Sequence, residues 1–255
     1  MTKTFDLKVA TLSTIIGIVL VLFMAWLTGD DFGAPVFPFM AVLSAYIISG
    51  IVIGFTSKGE TIVEPGVASI ITGVVTYFII TAMNLSCFKL LAGDVFAVNM
   101  LLLTLNGIIL AFAGAWTGEK FQLTFENKVE SKNVVEWGWI IAGTIIGVTA
   151  SIFLAGLIIK AFTATLTPFF IVLAVGILLT GLVVGWRSPG VTIKESAIAG
   201  ILTAVIILDI FKFTLDPDTT SLTSGSILLS VVIGLIAALI GGVIGEKIQA
   251  SGSKK

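Results

Sequence analysis

The chain has 255 residues, 57% hydrophobic and 11% charged, with a mean hydropathy of +1.15. A soluble domain carries about 25% charged residues, so there is too little polar surface here to cover a globule in water. The formal net charge of -1 offers no basic field for nucleic acid, and there is no histidine and a single cysteine, Cys87. No disulfide can form within these residues, and the commonest general base and transition-metal ligand is absent.

Eight apolar segments follow in chain order, at 9–28, 36–56, 62–83, 95–117, 134–159, 165–186, 192–214 and 225–246. Each matches the run of about 20 residues that crosses about 30 Å of hydrocarbon as a helix. Barrel strands would be about 10 residues long and alternate in polarity, which these segments do not. The first segment follows Lys3 and Lys8, but it is longer than a signal-peptide core and no small-x-small cleavage site follows. It is expected to remain as a span. The third and seventh open on Thr61-x-x-Glu64 and Thr192-x-x-Glu195, the spacing of a capping box. The threonine would accept from the backbone at N3, and the glutamate would return to the N–H of the cap residue. The functional alternative for Glu64 and Glu195 is a related pair of carboxylates holding a cation or proton. Pro65 still lies in the first turn, where its missing N–H costs little. Thr167-Pro168 reads as a threonine cap with proline at N1, and Phe37-Pro38 is its weaker counterpart.

The segments repeat. Thr14-Ile15-Ile16-Gly17, Phe23, Ala25, Leu27 and Pro38-Phe39 reappear as Thr144-Ile145-Ile146-Gly147, Phe153, Ala155, Leu157 and Pro168-Phe169. Gly50, Gly54, Ser57, Thr61-Ile62 and Glu64 reappear as Gly181, Gly185, Ser188, Thr192-Ile193 and Glu195. Gly118-Glu119-Lys120 and Gln122 reappear as Gly245-Glu246-Lys247 and Gln249. Matches at polar loop positions, in order, argue for duplication. The expected fold is an all-α polytopic membrane protein, with eight transmembrane helices as two tandem parallel four-helix repeats. Repeat 1 covers 1–122, a cytoplasmic linker 123–133, and repeat 2 134–255. An even number of spans inserts both copies the same way up, unlike the inverted repeats of many transporters.

Eleven basic residues fall on one side: Lys3, Lys8, Lys58, Lys120, Lys128, Lys132, Arg187, Lys194, Lys247, Lys254 and Lys255. Only Lys89, Lys160 and Lys212 fall on the other, with Asp30, Asp31, Asp94, Asp216 and Asp218. This asymmetry places both termini in the cytoplasm of a cell expected to be prokaryotic. Trp116, Trp137, Trp139, Trp186 and Trp26 sit at span ends, as in an interfacial aromatic belt.

Small residues recur at four-residue spacing, as at Gly50/Gly54, Ser69/Gly73, Gly114/Gly118, Gly181/Gly185 and Gly234/Ala238/Gly242. Such faces bring helix backbones together in lipid, either inside the bundle or against a partner. Asp209 is the candidate intramembrane charge, with Lys212 three residues on to share its helix face. Its counterpart in the first repeat is Phe78, so the charge is not duplicated. Thr72, Thr76, Tyr77, Thr81, Asn106, Thr180 and Thr203 are polar within spans. The threonines are expected to bond their own helix carbonyls, and Asn106 another helix. The polar stretch from Glu119 to Glu136 reads as a solvated connection.

No phosphate loop, metal cluster, nucleophile elbow or dinucleotide fingerprint occurs, and no cofactor is expected. The composition favours a non-enzymatic structural or accessory membrane subunit, embedded in the lipid bilayer and packing with itself or another membrane protein. The alternative is a transporter or channel for a small or weakly polar solute between the repeats, acting through Asp209, Asn106, Glu64 and Glu195.

Overall fold

A computed structural model describes residues 5–29, 36–57, 62–83, 85, 94–122, 135–161, 166–189, 192–212 and 223–252. Among these residues the chain forms eight helices: α1 (Leu7–Thr28), α2 (Val36–Thr56), α3 (Val63–Met83), α4 (Asp94–Phe121), α5 (Trp137–Ala161), α6 (Leu166–Arg187), α7 (Thr192–Lys212) and α8 (Ser224–Gly252). The apolar runs dictate this outcome, because a helix satisfies its own backbone groups without water. Seven of the eight are long and apolar enough to cross a membrane. The exception is α7, which carries Lys194, Glu195, Asp209 and Lys212. The linker expected at 123–133 lies outside the described residues.

Helix starts differ from expectation by a residue or two. α6 begins at Leu166 and α2 at Val36, so Pro168 and Pro38 are each the third helical residue. That is still the first turn, whose N–H groups have no helical acceptor. The side chain of Thr167 lies outside the described residues. Asp6 caps α1 by accepting from the N–H groups of Lys8 (3.0 Å) and Val9 (3.2 Å), and Thr223 caps α8 by accepting from Ser226 N (3.2 Å). The ends of α4 and α8 run past the expected span limits, because both continue through the polar Gly-Glu-Lys stretch as helix.

The chain divides into two compact units, Met1–Phe125 and Glu126–Lys255. In the first, α2 and α4 form the most intimate pair, α1 packs on α2 and α3, and α3 also packs on α4. In the second, α6 and α8 form that pair, α5 packs on α6 and α7, and α7 also packs on α8.

Glycine decides both intimate pairs. A Cβ on Gly50 would stand 2.8 Å from the carbonyl carbon of Ala111 and closer to its oxygen, and one on Gly54 would meet Ala115 in the same way. In the second unit Gly181 lies against the Ala238 carbonyl and Gly185 against that of Gly242. The partners reciprocate, Gly114 against Ile47 and Gly241 against Leu178. Helix axes approach this closely only where side chains are missing on both sides, and dispersion then acts between the backbones. The tryptophans divide: Trp137 and Trp26 are exposed, but Trp139, expected at the interface, is fully buried within its unit.

Candidate functional site

The carboxylates of Glu64 and Glu195 are both buried, at 5% and 0% exposure. For Glu195 the capping box expected of Thr-x-x-Glu does not account for this burial. Thr192 is already the first helical residue of α7, and the Glu195 carboxylate turns to a neighbouring helix. Its Oε1 accepts from the backbone N–H of Glu136 at 2.6 Å, just before α5, and its Oε2 accepts from the Ser188 hydroxyl at the end of α6. One carboxylate therefore joins the start of α5, the end of α6 and the first turn of α7. Thr61 lies outside the described residues, but Glu64 makes the matching contact in its own unit, where Oε1 accepts from Asp6 N at 3.3 Å, just before α1. The physical reason is the environment. A helix start with unmet N–H donors carries partial positive charge, and a carboxylate inside a membrane protein binds there more strongly than on its own exposed turn.

These contacts also account for the spacing of seven between Ser188 and Glu195. In the second unit Ser188 and Glu195 meet through the hydroxyl–carboxylate bond, which ties the end of α6 to the first turn of α7. In the first unit Ser57 is buried, and among the described residues its hydroxyl has no partner. At the same end of the units, Gln122 Nε2 donates to the Phe55 carbonyl, and Gln249 Nε2 donates to that of Ser188 at 3.5 Å. Arg187 stacks on Trp186 with its guanidinium carbon 4.4 Å from the ring centroid.

A second polar layer lies within each unit. Around Gly17, Ser49 Oγ donates to Ser13 O (3.0 Å) and Thr72 Oγ1 to Thr14 O (3.5 Å). Glycine at position 17 leaves room for both hydroxyls, which would stand 2.8–2.9 Å from a Cβ there. In the second unit Thr180 and Thr203 hydroxyls meet at 3.1 Å, and Gly147 leaves room for that of Thr180. Each also bonds its own helix, Thr180 to Gly176 O (3.1 Å) and Thr203 to Ala199 O (2.9 Å). Thr76 and Thr81 likewise bond Thr72 O and Tyr77 O, both at 2.7 Å. Tyr46 lies over Gly107, with its hydroxyl beside Thr76 and Thr104.

The remaining candidates stand apart from these layers. Asp209 and Lys212 are both exposed in the last turn of α7. About 21 Å of helix separates Asp209 from Glu195. Asn106 is exposed near the middle of α4, and it bonds its own helix, Nδ2 to Leu102 O at 2.8 Å, not another helix as expected. A carbonyl one turn back on the same helix is within reach of a polar side chain without any second helix. The four candidates therefore do not converge within either unit. Gly50, Gly54, Gly181 and Gly185 all lie on the intimate pairs inside their own units. Among the described residues no group of acids and cysteine could hold a metal ion. The residues that sequence reasoning left out of the site are Ser188 and the backbone of Asp6 and Glu136. The signal for Ser188 was its repeated spacing of seven from the glutamate.

No family model, characterised protein or solved structure matches the chain.

Proposed function

We infer that this chain is a non-enzymatic structural or accessory subunit of a cytoplasmic membrane, built as two tandem copies of one four-helix unit. The observation that carries the reading is how the intimate helix pairs are closed. Gly50 and Gly54 stand on Ala111 and Ala115 as Gly181 and Gly185 stand on Ala238 and Gly242. Backbone against backbone leaves no room for a solute along those seams, and the buried carboxylates are engaged by helix starts. Each unit is then a solid post whose outward side chains remain for lipid and partners.

Duplication is supported by an equivalent contact in each unit: the N–H of Asp6 to Glu64 and that of Glu136 to Glu195. The reading includes α7 as an eighth crossing. Its charges gather in its first and last turns, and residues 196–208 between them are uncharged for about 20 Å. Glu195 is hydrogen-bonded, while Lys212 and Asp209 reach the interface. Eight crossings place both units the same way up, with both termini in the cytoplasm by the excess of lysine there.

The test is isolation from native membranes together with reconstitution of the purified chain. A stable membrane-protein assembly and tight liposomes are expected. Solute flux through liposomes that Asp209→Asn abolishes would replace this reading with that of a transporter.

A further inference from the structure

One face of α4 is left open by the packing of its unit. Asn99, Leu102, Asn106, Ile109, Ala113 and Trp116 follow one another at spacings of three, four, three, four and three. This is the heptad rhythm of a left-handed two-helix seam. The other side of α4 is occupied, with Gly107 beneath Tyr46 and Gly114 and Gly118 against α2. On the open seam Leu102 is 50% and Ile109 65% exposed, Asn106 is exposed, and Asn99, Ala113 and Trp116 are half-buried. The two asparagines occupy the same heptad position one repeat apart. Asn106 Nδ2 reaches Leu102 O, but among the described residues no hydrogen bond reaches its Oδ1 or the Asn99 amide.

We propose that a second copy of this chain docks on this seam to form a parallel dimer, Asn99 facing Asn99 and Asn106 facing Asn106 across a twofold along the membrane normal. A carboxamide complements itself, its Oδ1 accepting from the partner's Nδ2, and in hydrocarbon no water competes for either group. Copies of one membrane protein insert the same way up, so their α4 helices run parallel. Parallel seams set like heptad positions opposite each other. An asparagine at such a position selects two strands and one register, because any slip buries amides against apolar side chains. The seam also limits the assembly. In α8 the corresponding positions are Ser226, Leu229, Ile233, Ile236, Ile240 and Val243, with no amide. Each chain offers one asparagine seam, and a contact of a face with itself closes at two.

The proposal rests on the subunit reading and names its first partner. In a Cys87→Ser background, Asn106→Cys in intact membranes is expected to give a covalent dimer on oxidation with copper phenanthroline. Leu101→Cys, exposed but off the seam, serves as the reference. Counting photobleaching steps of the labelled chain in bilayers should show pairs. Replacing both asparagines with leucine should raise the dimer dissociation constant by about tenfold or more. Because the seam is left out of the packing of its own unit, folding should be unchanged by circular dichroism. A monomer at every bilayer density overturns the proposal, as does cross-linking of Asn106→Cys no better than Leu101→Cys or only to a different protein. Solute flux would sink the subunit reading and leave the dimer standing, whereas a monomer without flux would sink the dimer alone.

Discussion

Glu195 shows how a single charged residue inside a membrane protein becomes structural. Its carboxylate has two donors, the Glu136 N–H and the Ser188 hydroxyl, and hydrogen bonds to a charged acceptor contribute about 1.5–3 kcal/mol each. Glu195→Ala removes that acceptor from both donors, so it is expected to cost about 2–4 kcal/mol. Glu195→Gln keeps one carbonyl oxygen for Glu136 N and should recover most of the loss. Unfolding midpoints in mixed micelles will measure both, and equal losses for alanine and glutamine would refute the acceptor role. The two serines make a sharper comparison. Ser188→Ala should lose about 1–3 kcal/mol, whereas Ser57→Ala, whose hydroxyl is buried without a partner among the described residues, should lose less than about 0.5 kcal/mol.

At the scale of the element, the α2–α4 and α6–α8 pairs are set by what is missing. Gly50→Ala or Gly181→Ala drives a methyl group into a backbone carbonyl that cannot turn aside, so the helices must separate along their length. Overpacking of this kind typically costs about 1–3 kcal/mol, occasionally more, and rigid backbone on both sides places these two at the upper end. Gly225→Ala is the control, since nothing lies nearer than Thr223 Oγ1 at 3.8 Å. Its stability should stay within about 0.5 kcal/mol of the parent. Thermal unfolding of the three variants side by side is the measurement. A loss at Gly225 equal to that at Gly50 would mean that close approach does not govern these positions, since helix propensity alone favours alanine over glycine.

For the whole molecule, the crossing of α7 decides topology. Seven crossings leave the termini on opposite sides, and eight return them to one side. The gathering of charge at the two ends of α7 argues for eight, and the excess of lysine argues for the cytoplasmic side. Epitope tags at the two ends of the chain are therefore expected to be protected from protease in intact cells and cleaved after permeabilisation. A C-terminal tag cleaved in intact cells would show that α7 does not cross.

Sequence alone determined the helical class and the approximate limits of the spans, because long apolar runs have few other ways to satisfy their backbones. It also marked Gly50, Gly54, Gly181 and Gly185, since four-residue spacing of small residues has one geometric meaning on a helix. The destination of Glu64 and Glu195 was not legible. A Thr-x-x-Glu spacing describes a local turn, whereas the backbone donors that captured these carboxylates lie 58 and 59 residues away in sequence. Burial of Trp139 and exposure of Asp209 were hidden for the same reason: an apolar run does not say which side faces a neighbouring helix. The eightfold pattern of helices was thus written locally, in hydropathy. The polar contacts that tie those helices into units were decided only by tertiary structure, because a buried charge takes whichever helix start folding brings within reach.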